Sequence, residues 1–188
     1  MTALLASVRS EQEALAAAHA GAELIDLKEP RSGALGGLPI AQIGRIAAAL
    51  RAQYAVKPIS ATIGDIDSED VDEVAARVMD VSAAGVDYVK VGVTPGAAAA
   101  RCLEAHASLP AAVVPVLLAD AGIDAALVAH AASLGFVGVM FDTAAKDGRT
   151  LFDHVDEETL GHWLGLARKQ GAMSGIAGSL GWAQLERI

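Results

Sequence analysis

Three of the five lysines in this 188-residue chain close apolar runs, and two of them have an aspartate close by. The runs are Glu23-Leu-Ile-Asp-Leu-Lys28, Asp87-Tyr-Val-Lys90-Val-Gly92 and Val139-Met-Phe-Asp142-Thr-Ala-Ala-Lys146-Asp147-Gly148. The chain otherwise prefers arginine, with nine Arg to five Lys, so lysines at these places are informative. An amine can lose its proton near neutral pH and attack a carbonyl, which a guanidinium cannot do. Cations sharing one pocket raise the cost of charging each other, which frees one amine as nucleophile and leaves another to carry protons. Aspartates beside them orient the ammonium groups. Schiff-base chemistry is the leading expectation.

The elements that must position these groups alternate along the chain. Strand-like runs are Ala3–Val8, Leu24–Lys28, Ile59–Ile63, Tyr88–Val93, Val113–Ala119, Val137–Asp142 and Met173–Ala177. Helical runs lie near Ser10–Ala20, Pro39–Gln53, Ser68–Ala84, Gly96–His106, Asp124–Leu134 and Asp156–Gln170, with another from Gly181 onward. Ser10 has capping-box spacing to Glu13, and Ser68 precedes an acidic first turn. Gly21, Gly85, Gly135 and Gly171 each stop a helix just before the next strand. A βα unit repeated at even spacing predicts a parallel α/β fold, and here a single-domain (β/α)8 TIM barrel over 1–188. Ser7-Val-Arg-Ser-Glu offers none of the Gly-x-Gly-x-x-Gly of a dinucleotide fold. Seven strands are visible, so the last βα unit is expected to be missing from this sequence.

In such a barrel the chemistry lies at the C-terminal ends of strands. Asp26 and Lys28 are two residues apart and share a strand face. Lys90 ends the inner run of strand four, Asp142 closes strand six, and Lys146 follows in its loop. Thr62 and Asp65 flank Gly64 after strand three, in Ser60-Ala-Thr-Ile-Gly-Asp65, and are candidates for substrate or phosphate binding. Gly178 and Ser179, at the turn into the last helix, are candidates for a phosphate cradle of backbone amides. Glu23, at the opposite end of its strand, reads as a solubilising charge. Trp163 and Trp182 read as packing residues, Cys102 as a buried structural thiol, and the five histidines as structural, with no metal spacing among them.

A net charge of −9 and a pI near 4.9 argue against a general nucleic-acid or anionic-membrane partner. The longest charge-free stretch, Ala125 to Phe141, is divided by Gly135 and does not read as a membrane span. The N-terminus lacks the basic start of a signal peptide, so a cytoplasmic protein is expected. The Ala-rich outer helices of an acidic barrel predict a homo-oligomer.

At these residues the chain resembles the (5-formylfuran-3-yl)methyl phosphate synthase family. The segments that carry the resemblance are Gly21-Ala-Glu-Leu-Ile-Asp-Leu-Lys-Glu-Pro30 with Gly33-Ala-Leu-Gly36, Ser60 to Asp65, and Gly85-Val-Asp-Tyr-Val-Lys-Val-Gly92. Phe141-Asp-Thr-Ala-Ala-Lys-Asp-Gly-Arg-Thr-Leu-Phe-Asp153 is the longest, and Ile176-Ala-Gly-Ser179 the last. The resemblance implies a TIM-barrel lyase that joins two molecules of glyceraldehyde 3-phosphate into a phosphorylated furan aldehyde, for methanofuran-type one-carbon carriers. By the same resemblance Lys28 matches the Schiff-base lysine, Lys90 the proton acceptor and Lys146 a third lysine, with Asp26 and Asp142 as acidic partners. It implies no metal and no cofactor; the only small-molecule partner is a phosphorylated aldehyde. Two other readings share the residues: a Schiff-base aldolase-like barrel on another phosphorylated sugar, and a silent barrel that binds a phosphorylated metabolite.

Overall fold

The computed structural model describes residues 2–67, 69–145 and 147–187, without the side chain of Leu185. Lys146 and the helix start read at Ser68 therefore lie outside the described residues. Contacts divide the chain into two compact units. One comprises 1–66, 72–91 and 110–112; the other comprises 67–71, 92–109 and 113–188.

The first unit takes in β1 (Leu5–Val8), α1 (Glu11–His19), β2 (Leu24–Leu27), α2 (Ile40–Gln53) and β3 (Ile59–Thr62). It also holds nearly all of α3 (Val71–Ala83) and most of β4 (Tyr88–Val93). Its strands pair in chain order, β1 to β2 to β3 to β4, and every pairing is parallel. Parallel strands are covered on both faces, which explains why β3 is buried at all four residues. On α2 the buried residues are Ile43, Ile46, Ala47 and Leu50, the spacing of a single helix face. Val74, Val78 and Val81 do the same on α3. With Ile25, Leu27 and Ile59 from the strands they form a dry aliphatic core.

The second unit takes in α4 (Ala99–Ala107), β5 (Val113–Leu118), α5 (Ala125–Ser133), β6 (Gly138–Asp142), α6 (Glu157–Lys169) and β7 (Met173–Ile176). Here β5 pairs with β6 and β6 with β7, again parallel. Phe141 and Trp163 stack at 5.4 Å between ring centroids in its core, so Trp163 packs as expected. Cys102 is buried, and burial, with the charges of Glu69 and Asp67, pushes its thiol up. No helix among the described residues is long and apolar enough to cross a membrane.

Most of the predicted punctuation is present. Ser10, Asp124 and Asp156 cap their helices by accepting the amides of Glu13, Leu127 and Thr159. Gly21, Gly85, Gly135 and Gly171 all lie at positive φ, from 77° to 100°, where a Cβ is disfavoured. Three details differ. The Glu13 carboxylate reaches past the cap to accept the amide of Arg9 at 2.8 Å. Glu23 does more than face water: its carboxylate takes the Leu4 amide at 2.8 Å and fixes the start of the first strand.

The third is the α-helix expected from Gly181, which is instead a 3-10 segment, Trp182–Arg187. Gln184 draws the Gly181 amide onto its side chain, and the Arg187 guanidinium lies 4.0 Å over the Phe152 ring while bonding Glu157. These contacts hold the segment in a tight turn and leave Trp182 88% exposed, where packing was predicted.

His106 is 1% exposed, and neither ring nitrogen has a hydrogen-bond partner among the described residues. Burial pushes its imidazole below the ordinary 6.5. A base that is harder to protonate folded than unfolded contributes stability fully above the unfolded value, and loses it as pH falls from there through the folded value. The urea midpoint should therefore drop between about pH 7.5 and about pH 5. His106→Leu should flatten that drop; an unchanged slope in the variant would assign the pH dependence to other groups.

Candidate functional site

Parallel register lines up polar residues on one face of the first unit's sheet. Ser7 of β1 pairs with Asp26 of β2, and Asp26 with Ser60 of β3. One step further along the same face, Thr62 pairs with Lys90 of β4. The result is a row of hydroxyl, carboxylate and hydroxyl, followed by a row that carries a hydroxyl and an ammonium.

Asp26 is 0% exposed and Lys90 4%. The Lys90 ammonium donates to Asp26 Oδ2 at 2.6 Å, reaching back one row. Ser60 donates its hydroxyl to Oδ1 at 2.7 Å, and Ser7 donates to Oδ2 at 3.1 Å. A carboxylate without water requires partners on both oxygens, because an unpaired buried charge costs several kcal/mol. Asp26 has them. Neither serine was singled out as a site residue, although Ser60 opens the Ser60–Asp65 segment; only strand register shows that both face the aspartate.

Lys28 is the first residue past β2, and it too is buried. Its own amide donates to Val8 O at 3.0 Å, and the next amide, that of Glu29, donates to Gly36 O at 2.8 Å. Both peptides flanking the Lys28 Cα are therefore held. Thr62 is fully buried and donates its hydroxyl to Gly36 O at 2.9 Å, with Leu27 O at 3.5 Å. Asp65 is exposed, and its Oδ1 accepts the Leu35 amide at 3.1 Å. Asp26, Thr62 and Lys90 thus fall in two adjoining rows of one sheet face, Thr62 at the end of β3 and Lys90 midway along β4, with Lys28 just past β2 and Asp65 on the loop beyond β3.

In the second unit Asp142 ends β6, buried, and its Oδ1 accepts the Thr143 amide at 2.7 Å. Lys146 lies four residues on, outside the described residues. The loop that leads to it is tied by Asp120, which accepts the amides of Ala144 at 2.8 Å and Ala145 at 2.7 Å. Burial opposes ionisation of Asp120, and the amides of Ala145 and Ala144 more than offset it, so its carboxyl is held below the ordinary 3.8. Asp120 was missed as well, because its partners are backbone groups that have no sequence signature.

Gly178, at φ 107°, lies against Thr143: a Cβ there would come within 3.0 Å of the threonine side chain. Ser179 follows at φ 52°, the left-handed region that non-glycine residues seldom adopt. The helix whose N-terminus was to supply amides at this turn is the short 3-10 segment, so that source of an anion cradle is absent. Among the described residues no group of three or more His, Cys, Asp or Glu is arranged to hold a metal.

The parallel βα units and the buried lysine–carboxylate row define the class as an α/β protein built on repeated units with functional groups at strand ends. Solved structures of TIM-barrel-like lyases share that fold. Against 2,3-dimethylmalate lyase, of the PEP mutase/isocitrate lyase superfamily, the TM-score is 0.60 at 13% identity, covering 94% of this chain and 75% of the other. A Coccidioides immitis protein assigned provisionally to the dihydrodipicolinate synthase family gives 0.65 at 17%, covering 94% and 60%. At such identities the likeness concerns the fold alone.

The chain belongs to the 4-HFC-P synthase family, whose model matches residues 4–188. The (5-formylfuran-3-yl)methyl phosphate synthase of Methanosarcina mazei is 33% identical over 202 residues, covering 98% of this chain and 85% of its own. That of Methanopyrus kandleri is 35% identical, covering 94% and 79%. A Methylorubrum extorquens protein that carries the name provisionally is 41% identical, covering 95% and 72%.

Removing one side of the Asp26 row should cost more than its geometry alone suggests. Lys90→Met leaves a buried carboxylate without its cation and should destabilise the chain by about 3–5 kcal/mol in urea unfolding. Ser60→Ala, which removes one hydrogen bond to a charged group, should cost about 1.5–3 kcal/mol. Equal, near-zero losses would show that water reaches Asp26 and that the row is not dry.

Proposed function

We propose that this chain is a (5-formylfuran-3-yl)methyl phosphate synthase that works through a Schiff base on Lys28. The observation that carries the reading is the buried Asp26–Lys90 ion pair on the strand face that Lys28 extends, in a chain of this family. A carbon–oxygen lyase that joins two molecules of glyceraldehyde 3-phosphate needs an electron sink and a group that moves protons, and this pair of lysines supplies both types.

The steps follow from the residue chemistry. The Lys28 amine adds to a triose-phosphate carbonyl and loses water to give an iminium, which acidifies the neighbouring C–H. Lys90, after passing its proton to Asp26, removes that hydrogen, and the electron pair moves into the enamine. Phosphate leaves from the adjacent carbon, taking its bonding electrons. The carbon that lost phosphate, now the terminal carbon of an enol, attacks the carbonyl of the second triose, whose oxygen takes up a proton as the new carbon–carbon bond forms. Ring closure and loss of two waters form the furan as its imine, and hydrolysis of that imine by one water releases the aldehyde and frees Lys28 for another turnover.

Lys146 is proposed as the third lysine and Asp142 as an acidic partner, on the strength of the family resemblance. The turn at Gly178 and Ser179, within the Ile176–Ser179 segment that carries the family resemblance, is proposed to bind a phosphate through its own backbone amides, without a helix N-terminus behind them. The product would feed methanofuran-type one-carbon carriers. No step calls for a metal or an organic cofactor.

Incubation with glyceraldehyde 3-phosphate and borohydride, followed by peptide mass mapping, tests the covalent step. The expected result is a reduced triose adduct on Lys28 that disappears in Lys28→Ala, together with a furan chromophore in unreduced reactions. An adduct on Lys90 would exchange the two roles. An adduct without any furan product would favour a Schiff-base aldolase on another phosphorylated sugar, and no adduct on any lysine would sink the covalent mechanism.

A further inference from the structure

The segment that follows Lys28, residues 29–38, is a closed loop, and its closure is not made by the loop alone. Glu29 begins it and Gly36 returns to it, the Glu29 amide donating to Gly36 O at 2.8 Å. A 3-10 turn, Pro30–Ser32, forms the tip, with the Arg31 amide on the Glu29 carboxylate at 3.0 Å. Ala34, Leu35 and Leu38 are buried, so the returning limb is packed and not merely draped over the surface.

Three side chains from the next βα unit hold that limb. Thr62, at the end of β3, donates to Gly36 O, the same carbonyl that holds the Glu29 amide. Asp65 accepts the amide of Leu35. Arg77 of α3 donates to Leu38 O at 3.0 Å and to Ile63 O at 3.1 Å, joining the loop's far end to the chain just past β3. The approach is too close for side chains. A Cβ on Gly33 would collide with the Asp65 carboxylate, and one on Gly36 with Glu29 O. Such contacts, with polar groups at both ends of the Leu35–Gly36 pair, describe a latch.

We propose that Thr62 and Asp65 are positioning residues that act on the reaction through this loop and touch no substrate. Loosening Gly36 O releases the Glu29 amide, which is the peptide immediately after Lys28. The Lys28 backbone is then held on one side only, by Val8 O. A nucleophile displaced by a fraction of an ångström from its attack geometry loses rate without losing substrate affinity. The inference rests on Lys28 being the Schiff-base lysine. It departs from the sequence expectation that Thr62 and Asp65 bind phosphate, and the two roles predict opposite kinetics.

Thr62→Val removes the donor at nearly constant shape, and Asp65→Ala removes the acceptor. Both should lower kcat about tenfold, with KM for glyceraldehyde 3-phosphate changed less than about twofold. Thr62→Ser and Asp65→Asn, which keep the donor and one acceptor oxygen, should restore kcat. Amide exchange of Glu29, Leu35 and Gly36 should quicken in Thr62→Val and Asp65→Ala, and return to the wild-type rate in the conservative variants.

A raised KM with kcat kept would overturn the proposal in favour of direct phosphate contact. Loss of activity in Asp65→Asn would do so in favour of an acid–base role for Asp65. Unchanged exchange in both disruptive variants would show that there is no latch. If the wild-type chain forms no adduct on Lys28, the proposed function fails and takes the kinetic claim with it. The exchange rates then decide the latch by themselves.

Discussion

A carboxylate sealed from water inside a parallel sheet dictates what may stand beside it. Asp26 has no exposed surface, so each of its oxygens must find a donor within the strands that flank it. Register supplies them: Ser7 on one side, Ser60 on the other, and Lys90 from one row further on. Substituting an apolar residue for any member leaves the others with an uncompensated charge or dipole. Yet a buried ion pair adds little net stability compared with well-packed aliphatic groups. The row is costly to desolvate, and the aliphatic face behind it, with Ile25, Leu27, Ile43, Leu50 and Val78, offsets that cost.

The same constraint governs the loops. In each unit an aspartate just past one strand accepts backbone amides from the loop after a neighbouring strand. Asp65 does this for Leu35, and Asp120 for Ala144 and Ala145. A loop amide that cannot join a sheet or helix must be satisfied by something, and a short acidic side chain on the adjacent loop is within reach. Because both tied loops follow strand ends that carry candidate groups, the ties bear on Lys28 and on the segment before Lys146. Candidate groups and loop anchors are therefore neighbours along the chain, and a rigid backbone at a strand end narrows the reach of a lysine on a flexible four-carbon stem.

Much of this was legible in one dimension. The period of βα units, the glycine stops and the helix caps are local features, since they depend on φ preferences and on side chains that bond amides three residues away. Strands came through within one or two residues because a short apolar run set off by a glycine stop needs no distant partner to be recognised. The candidate site was legible in its reactive members: Asp26, Lys28, Lys90 and Asp142 are unusual residues for the ends of apolar runs, and the structure buries all four. Less legible was anything decided by a remote neighbour. Trp182 looked like a packing residue by type, but the turn held by Gln184 and Arg187 leaves it outside.

Short stretches of chain were enough to set the order and kind of the elements, the parallel βα arrangement and the family, because hydrophobic period, turn chemistry and motif are properties of short segments. Which polar groups meet was left to the folded arrangement. That Ser7 and Ser60 embrace Asp26, that Lys90 reaches back one row, that Thr62 and Asp65 face the Gly33–Gly37 loop and that His106 is sealed without a partner among the described residues all follow from strand register and helix packing. Register couples residues tens of positions apart through hydrogen bonds between backbones, which are the same for every residue and so leave no trace in side-chain spacing.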